Sequence, residues 1–323
     1  MTLAGRLLVV LVAALALVAG GSARRAGGSP VALVTAETAN EVLAVSLPGG
    51  KVRRRVHLRG PQAIAALQAG PAVVVSPSGT VTLLAWHSLR VLKVFRSFRS
   101  PQIAAITPDG EWAYVTDAVT GTVGVIELAT RRVVDRVFVG EGAHHLAISP
   151  DGRRAWVALG ENASTIVVLD TSHPQAPRVI GHFRPRVPAH DLAFAPDGRT
   201  VWISSAAAAS VSVVNAHSAK LVATIPAGTA PQHLVFVPYG RPRAYITSGY
   251  GSTIEMVDVG TRRIIRRASV PYGSFNLATG GDIVATASLL DGRVTEFDGA
   301  TLQRRLTTTV APAARDLAIS VWP

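Results

Sequence analysis

The sequence lacks cysteine and contains little lysine and few aromatic residues. The absence of cysteine excludes disulfide bonds, cysteine-ligated metal sites and covalently attached c-type haem. Lysine occurs three times, so 29 of the 32 basic residues are arginine, and the formal net charge is +12. Such a charge ordinarily suggests an acidic partner. The chain is dominated by Arg, Ala, Val and Gly, a bias that GC-rich coding alone produces, so the charge is weak support for nucleic-acid binding.

Long apolar runs are confined to the N-terminus. Arg6 precedes an apolar run over residues 7–19, and small residues follow as far as Ala23. This order of segments is typical of a secretory signal peptide. The apolar run is shorter than the ~20 apolar residues of a membrane span. We predict a signal peptide over 1–23 that is removed, then a short segment over 24–30, and export to the periplasm, the cell surface or the medium. An uncleaved anchor is the alternative, and no membrane span is expected after cleavage.

A repeat organises the rest of the chain. Its clearest copies are "AAITPDGEWAYVTD" from residue 104, "LAISPDGRRAWVAL" from 146, "LAFAPDGRTVWISS" from 192 and the degenerate "LVFVPYGRPRAYITS" from 234. Each unit of roughly 42 residues carries four β-rich runs with period-two alternation, separated by turn residues. A unit of this length with four short strands is typical of one blade of a β-propeller.

The two ends of the chain complete one another and set the number of blades. The segment after residue 30 offers three strands without an inner strand, and residues 315–322 offer an inner strand without the other three. Joining them closes the ring and leaves no open edge. We predict an all-β, seven-bladed propeller of four-stranded antiparallel blades, one domain over 31–323. Its blades are 315–322 with 31–59, 60–99, 100–141, 142–188, 189–230, 231–273 and 274–312.

The stretch "PDGEWAYVTD" resembles the hallmark of YVTN-repeat seven-bladed propellers, which are exported proteins related to surface-layer repeats. The resemblance covers essentially the whole chain after residue 30 and is strongest in four blades. It implies the propeller fold and export, and it implies no particular activity because such propellers host many functions. The hallmark asparagine is replaced in this chain by Asp117, Leu159, Ser205 and Ser248.

Two repeated features have structural interpretations. Pro-Asp-Gly is turn chemistry, since proline presets φ, aspartate bonds the backbone that follows and glycine accepts positive φ. Tyr114, Trp156, Trp202 and Tyr245 share one position in the second strand, where we expect them to fill the wedge between adjacent blades.

The two residues ahead of each inner strand form the best candidate site, and we call them slot residues. Because equivalent positions of a ring meet around its axis, we expect them to line the mouth of the central channel on one face. Four of the nine histidines fall in these slots. The predicted ligand-binding residues are His144, His145, His190, Asp191, Gln232, His233, Asn276, Arg315 and Asp316.

Two functions remain open for this ring of side chains. We predict a non-catalytic module that binds a protein, a cell-envelope polymer or a small ligand, because the sequence offers no nucleophile–base or two-carboxylate constellation. No cofactor is predicted on this interpretation. The alternative is a metal- or cofactor-assisted enzyme, either a lactonase-type hydrolase or a subunit of an amine-oxidising or haem-bearing assembly. There, histidine would bind a divalent metal, and Asp191 and Asp316 would add oxygen ligands or orient imidazoles.

Arginine pairs recur at the turn into, or on, the outermost strand of several units. Charge on exposed outer strands prevents edge-to-edge pairing, and docking to an anionic surface is the alternative. Aromatic residues are not interleaved with these arginines, so we do not expect nucleic acid as a partner. The pairs are Arg53-Arg54-Arg55, Arg131-Arg132, Arg262-Arg263 with Arg266-Arg267, and Arg304-Arg305.

Overall fold

A computed structural model describes residues 30–67, 70–237 and 240–321. Within these ranges the chain forms 28 strands and no α-helix, and therefore no helix that could cross a membrane. The strands make seven separate four-stranded antiparallel sheets. This confirms the predicted seven-bladed propeller. The predicted signal peptide over 1–23 lies outside the described residues.

The strands follow the chain in blade order. They are β1 Pro30–Ala36, β2 Glu41–Ser46, β3 Val52–His57, β4 Ala63–Ala65, β5 Pro71–Ser76, β6 Thr80–Ala85, β7 Arg90–Phe95, β8 Pro101–Ile106, β9 Trp112–Asp117, β10 Thr122–Glu127, β11 Arg132–Phe138, β12 Ala143–Ile148, β13 Arg154–Leu159, β14 Ile166–Asp170, β15 Arg178–Phe183, β16 Leu192–Phe194, β17 Thr200–Ser205, β18 Ser210–Asn215, β19 Leu221–Pro226, β20 Leu234–Val237, β21 Arg243–Ser248, β22 Thr253–Asp258, β23 Arg263–Ser269, β24 Ser274–Gly280, β25 Ile283–Ser288, β26 Arg293–Asp298, β27 Arg304–Thr309 and β28 Leu317–Val321.

The ring closes through blade 1, which joins the two ends of the chain. β28 pairs antiparallel with β1, with Ala32 opposite Ile319 and Val34 opposite Leu317, and the sheet continues through β2 to β3. Blades 2 to 7 then take β4–β7, β8–β11, β12–β15, β16–β19, β20–β23 and β24–β27. The predicted closure is confirmed, and β1 begins one residue earlier than the predicted start of the domain.

The Pro-Asp-Gly segments are turns. Asp151 accepts hydrogen bonds from the hydroxyl of Ser149 at 2.6 Å and from the backbone N–H of Arg153 at 3.0 Å. Gly152 has φ of 71°, a left-handed conformation that favours glycine. Because the carboxylate is committed to its own turn, these aspartates hold the inner strand to the second strand and lie away from the channel mouth.

Aromatic side chains fill the wedges between blades, as predicted from their shared position. Trp156 of blade 4 is buried, and its ring packs edge-on against Phe194 of blade 5, with ring centroids 6.0 Å apart. Trp202 of blade 5 packs in the same way on Phe236 of blade 6 at 5.2 Å. These contacts fix each blade against the next, which sets the spacing of the inner strands around the axis.

A hydroxyl near the end of the second strand ties several blades to the slot of the next blade. Thr116 of blade 3 donates to the carbonyl oxygen of His144 in blade 4, at 2.6 Å. Thr35 donates in the same way to the carbonyl of Gln62, at 2.9 Å. Ser204 and Thr247 donate to the carbonyls of Gln232 and Phe275. The slot backbone is therefore held by the fold itself, independently of any ligand.

Candidate functional site

The slot residues surround one cavity at the mouth of the channel, with a volume of about 280 Å³. Asp191 is not among the residues that line this cavity, whereas the other eight predicted site residues are. They are His144, His145, His190, Gln232, His233, Asn276, Arg315 and Asp316. The sequence therefore predicted which segments meet at the mouth.

Three of the four slot histidines converge on one point. One ring nitrogen from each of His145, His190 and His233 lies within 4.8 Å of the others. Their ring centroids are separated by 4.7 Å, 5.1 Å and 5.3 Å. The three residues come from blades 4, 5 and 6, so three successive inner strands each supply one imidazole. We call them the histidine triad.

One ring nitrogen of each histidine in the triad, Nδ1, already has a polar neighbour. Nδ1 of His190 donates to the carbonyl oxygen of Glu161 at 2.8 Å, and Nδ1 of His233 lies 3.4 Å from the carboxylate of Asp191. Nδ1 of His145 lies 3.1 Å from Nδ1 of His144. Within the described residues, Nε2 of each ring makes no hydrogen bond. Imidazoles that bind metal are commonly fixed through the other nitrogen in this way.

The adjacent His144 and His145 have different roles. β12 begins at Ala143, and its pairing with β13 shifts register between Ala143 and Leu146, so both histidines lie in a β-bulge. A bulge breaks the alternation of side chains between two faces, and it allows both rings to turn towards the mouth. His145 belongs to the triad, whereas His144 contacts the His145 ring, with the two Nδ1 atoms 3.1 Å apart.

Burial favours the neutral form of three of the four slot histidines, and neutral imidazole is the form that binds metal. Burial lowers the pKa of His144 to about 4 and places the pKa of His145, which is 3% exposed, well below its usual value. Burial also lowers the pKa of His190, and the neighbouring His233 lowers it further. A metal ion therefore displaces no proton from His145 or His190 at neutral pH.

The carboxylates of the two slot aspartates accept hydrogen bonds from the backbone of the next blade, at the contact between blades that we call a seam. Asp191 accepts the backbone N–H of Leu234 in the next blade, at 3.0 Å. Asp316 makes the equivalent bond to Ile64 at 2.9 Å and also accepts the N–H of Leu317 at 2.8 Å. Burial raises the pKa of Asp316 to about 6. The carboxylate of Asp191 also lies beside an imidazole, that of His233, and both carboxylates hold neighbouring blades together.

Several residues of the mouth were not among the predicted site residues. Gln62 lines the cavity, and its segment Pro61-Gln62 repeats the dipeptides at 101–102 and 231–232, so the repeat contained the signal. Glu161 and Tyr250 also line the cavity, from the loops between the second and third strands of blades 4 and 6. These two have no equivalent in the other loops, and no periodicity identifies them.

The arginine pairs lie where the sequence placed them, away from the mouth. Arg53, Arg54 and Arg55 belong to β3, the outermost strand of blade 1, and are exposed. The pairs at 131–132, 262–263, 266–267 and 304–305 are likewise exposed on, or at the turn into, outermost strands. They form a basic rim and contribute no side chain to the cavity.

The fold and the site define a class of protein, a seven-bladed β-propeller with a histidine-rich channel mouth. No protein-family model and no curated protein matches the sequence. Solved structures match across most of the chain, at identities so low that the likeness shows the fold alone.

Three of these structures indicate the range of the likeness. A protein of unknown function from Desulfotomaculum acetoxidans DSM 771 is 14% identical with a TM-score of 0.79, covering 90% of this chain and 98% of its own. The apo form of AztD from Citrobacter koseri is 11% identical with a TM-score of 0.72, covering 91% and 98%. Hydrazine synthase from Kuenenia stuttgartiensis is 17% identical with a TM-score of 0.67, covering 80% and 89%.

Proposed function

We propose that this chain is an exported, non-catalytic binding module of the YVTN-repeat type whose channel mouth holds a divalent transition-metal ion of the zinc class. The observation that carries the proposal is the histidine triad, three imidazoles from successive blades with one nitrogen each within 4.8 Å of the others. Export rests on the signal-peptide pattern of residues 1–23, and the family assignment rests on the hallmark at 104–117.

The donor set favours one class of metal. Imidazole nitrogen suits zinc, copper, nickel and iron, whereas magnesium and calcium require oxygen ligands. Nitrogen donors around a tetrahedral zinc ion, with bonds of about 2.0–2.1 Å, lie roughly 3.3 Å apart. The triad nitrogens lie within 4.8 Å of one another. We expect the imidazole side chains to rotate towards the ion on binding, while the backbone of each slot stays in place.

Binding is favoured over catalysis because the site has no poised general base among its described residues. Asp191 and Asp316 bond to backbone amides in the seams. Glu161 is 70% exposed, and its carboxylate lies 3.8 Å from His144. One observation supports the second candidate, a metal-assisted hydrolase: three protein ligands leave a coordination position open, as in catalytic zinc sites. Turnover of an aryl ester or a lactone by the zinc-loaded protein, lost in Glu161→Gln, would favour that candidate.

A zinc titration of the chelator-stripped protein tests the proposed function. We expect one Zn²⁺ per chain with a dissociation constant in the micromolar range or below, and no measurable binding of Mg²⁺ under the same conditions. The protein carries no cysteine to compete for the ion. Failure to bind zinc, or equal binding of zinc and magnesium, would overturn the proposal.

A further inference from the structure

An apolar wall stands beside the histidine triad in the same cavity. It consists of Tyr250, Phe275 and Leu289, which all line the mouth. The Tyr250 and Phe275 rings pack edge-on with centroids 5.0 Å apart, and Tyr250 is 63% exposed. Large apolar groups left open next to a polar site are typical of ligand contacts.

The apolar wall is supported by the backbone of the loops of blades 6 and 7. A Cβ atom at Gly249 would collide with the ring of Phe275, so the ring lies directly on the loop backbone. Tyr272 continues the apolar surface outward, 54% exposed and 6.3 Å from the Tyr250 ring. The corresponding loops of blades 3 to 5, "DAVTG", "GENAS" and "SAAAAS", contain no aromatic residue. The mouth is therefore asymmetric, with imidazoles on one side and aromatic rings on the other.

The cavity is larger than an ion requires. Its volume is about 280 Å³, whereas a water molecule occupies about 30 Å³ in the liquid. A metal ion with one or two waters therefore fills only part of the space. The remaining space lies along the apolar wall, where an organic group gains more than water does by burying its surface.

Charge balance indicates what binds the ion from that side. Three neutral imidazoles bring no negative charge to a divalent cation. Asp191 faces Nδ1 of His233, and Asp316 is tied to backbone amides. The remaining carboxylate of the mouth, among its described residues, is that of Glu161, which is 70% exposed and lies 3.8 Å from His144, outside the triad. Arg315 at the rim is itself paired with Glu37 at 2.9 Å. An exogenous anion in the open coordination position would compensate the charge of the ion.

We infer that the metal-loaded mouth takes a small organic anion, whose acidic oxygen group binds the ion while its aromatic or apolar body packs against Tyr250 and Phe275. This inference rests on the proposed function, because it requires the metal. It goes further by assigning the ligand to an amphiphilic class. A matched pair of hydroxamates probes it, since benzohydroxamate and acetohydroxamate present the same chelating group with and without a ring.

The experiment first measures zinc affinity and then the affinity of both hydroxamates for the zinc-loaded protein. We expect benzohydroxamate to bind about 10-fold more tightly than acetohydroxamate, because ring burial is added to equal chelation. Tyr250→Ala should reduce this preference to near unity without changing zinc affinity, whereas Tyr250→Phe should preserve it. Val119→Ala, in the matching loop of blade 3, alters an equally exposed apolar side chain outside the wall and serves as the control.

The outcomes distinguish failure of the inference from failure of the proposed function. If zinc binds and the hydroxamates bind equally, or if Tyr250→Ala keeps the preference, the inference is wrong and the proposed function stands. If zinc does not bind, both are overturned.

Discussion

Replacing His145 with alanine is expected to lower zinc affinity by at least ~100-fold. His145 supplies one of three metal-binding nitrogens, so the variant retains only two. A zinc ion held by two protein ligands binds more weakly than one held by three. His144→Ala should lower the affinity by about 10- to 100-fold, the range found when a group that orients a metal ligand is removed. His144 contacts the triad through its neighbour His145, with the two Nδ1 atoms 3.1 Å apart. Isothermal titration of each stripped variant measures both effects.

His182→Ala is the matched control, because His182 is exposed on the outermost strand β15, away from the mouth. Its zinc affinity should equal that of the unmodified protein. Zinc should also raise the unfolding temperature of the unmodified protein and of His182→Ala, since a ligand that binds only the folded state stabilises it. Equal zinc affinity in His145→Ala and His182→Ala would contradict the assignment of the triad.

Glu296 gives the largest expected effect on folding. It is 0% exposed, and neither carboxylate oxygen makes a hydrogen bond within the described residues. The nearest cation is Nη1 of Arg305, 3.6 Å from Oε1. Glu296 pairs across the sheet with Ala285, so both side chains share the face that packs on Leu43 and Val45 of blade 1. The group lies between blade 7 and blade 1.

Glu296→Met is expected to stabilise the fold by about 1–3 kcal/mol at pH 8, since replacing a poorly compensated buried charge with an apolar side chain of similar volume is often stabilising. Burial raises the pKa of Glu296 above its ordinary value, the Arg305 charge opposing that rise. The folded protein therefore binds the proton more tightly than the unfolded chain. The contribution of Glu296 protonation to the free energy of unfolding is therefore complete below the ordinary pKa of 4.5. It is lost as the pH rises through the pKa of Glu296 in the folded protein.

The advantage of Glu296→Gln over the unmodified protein should consequently grow between pH 4 and pH 8. Denaturant unfolding across that range measures it, and Glu141→Gln, which alters an exposed carboxylate, controls for the general effect of charge. An advantage that is constant with pH, or that shrinks as pH rises, would show that Glu296 is compensated in the folded state.

The fold could be predicted from the sequence because its signals repeat. Turn chemistry, alternation and the aromatic position recur at a period near 42 residues, and seven imperfect copies support one another where a single copy would not. The same repetition located the channel mouth, because equivalent residues of a ring meet at its axis. It would also have identified Gln62, whose dipeptide Pro61-Gln62 is repeated in two other blades.

Several details of the site depend on contacts that the repeat pattern does not reveal. Nothing in the pair His144-His145 distinguishes the ring that enters the triad, because the distinction arises from a β-bulge in β12. Asp191 and Asp316 look like candidate metal ligands in the sequence, whereas backbone amides of the next blade take up their oxygens. Tyr250 has no aromatic equivalent in the corresponding loops of blades 3 to 5. Such non-local contacts become visible only when the blades are assembled.

Zinc K-edge X-ray absorption of the protein loaded with one equivalent of Zn²⁺ shows which atoms bind the ion. The triad predicts three imidazole nitrogens at about 2.0–2.1 Å and one further nitrogen or oxygen donor. In His145→Ala the imidazole contribution should fall to two or disappear. A spectrum dominated by oxygen ligands, or one that is the same in His145→Ala, would contradict a metal site at the channel mouth.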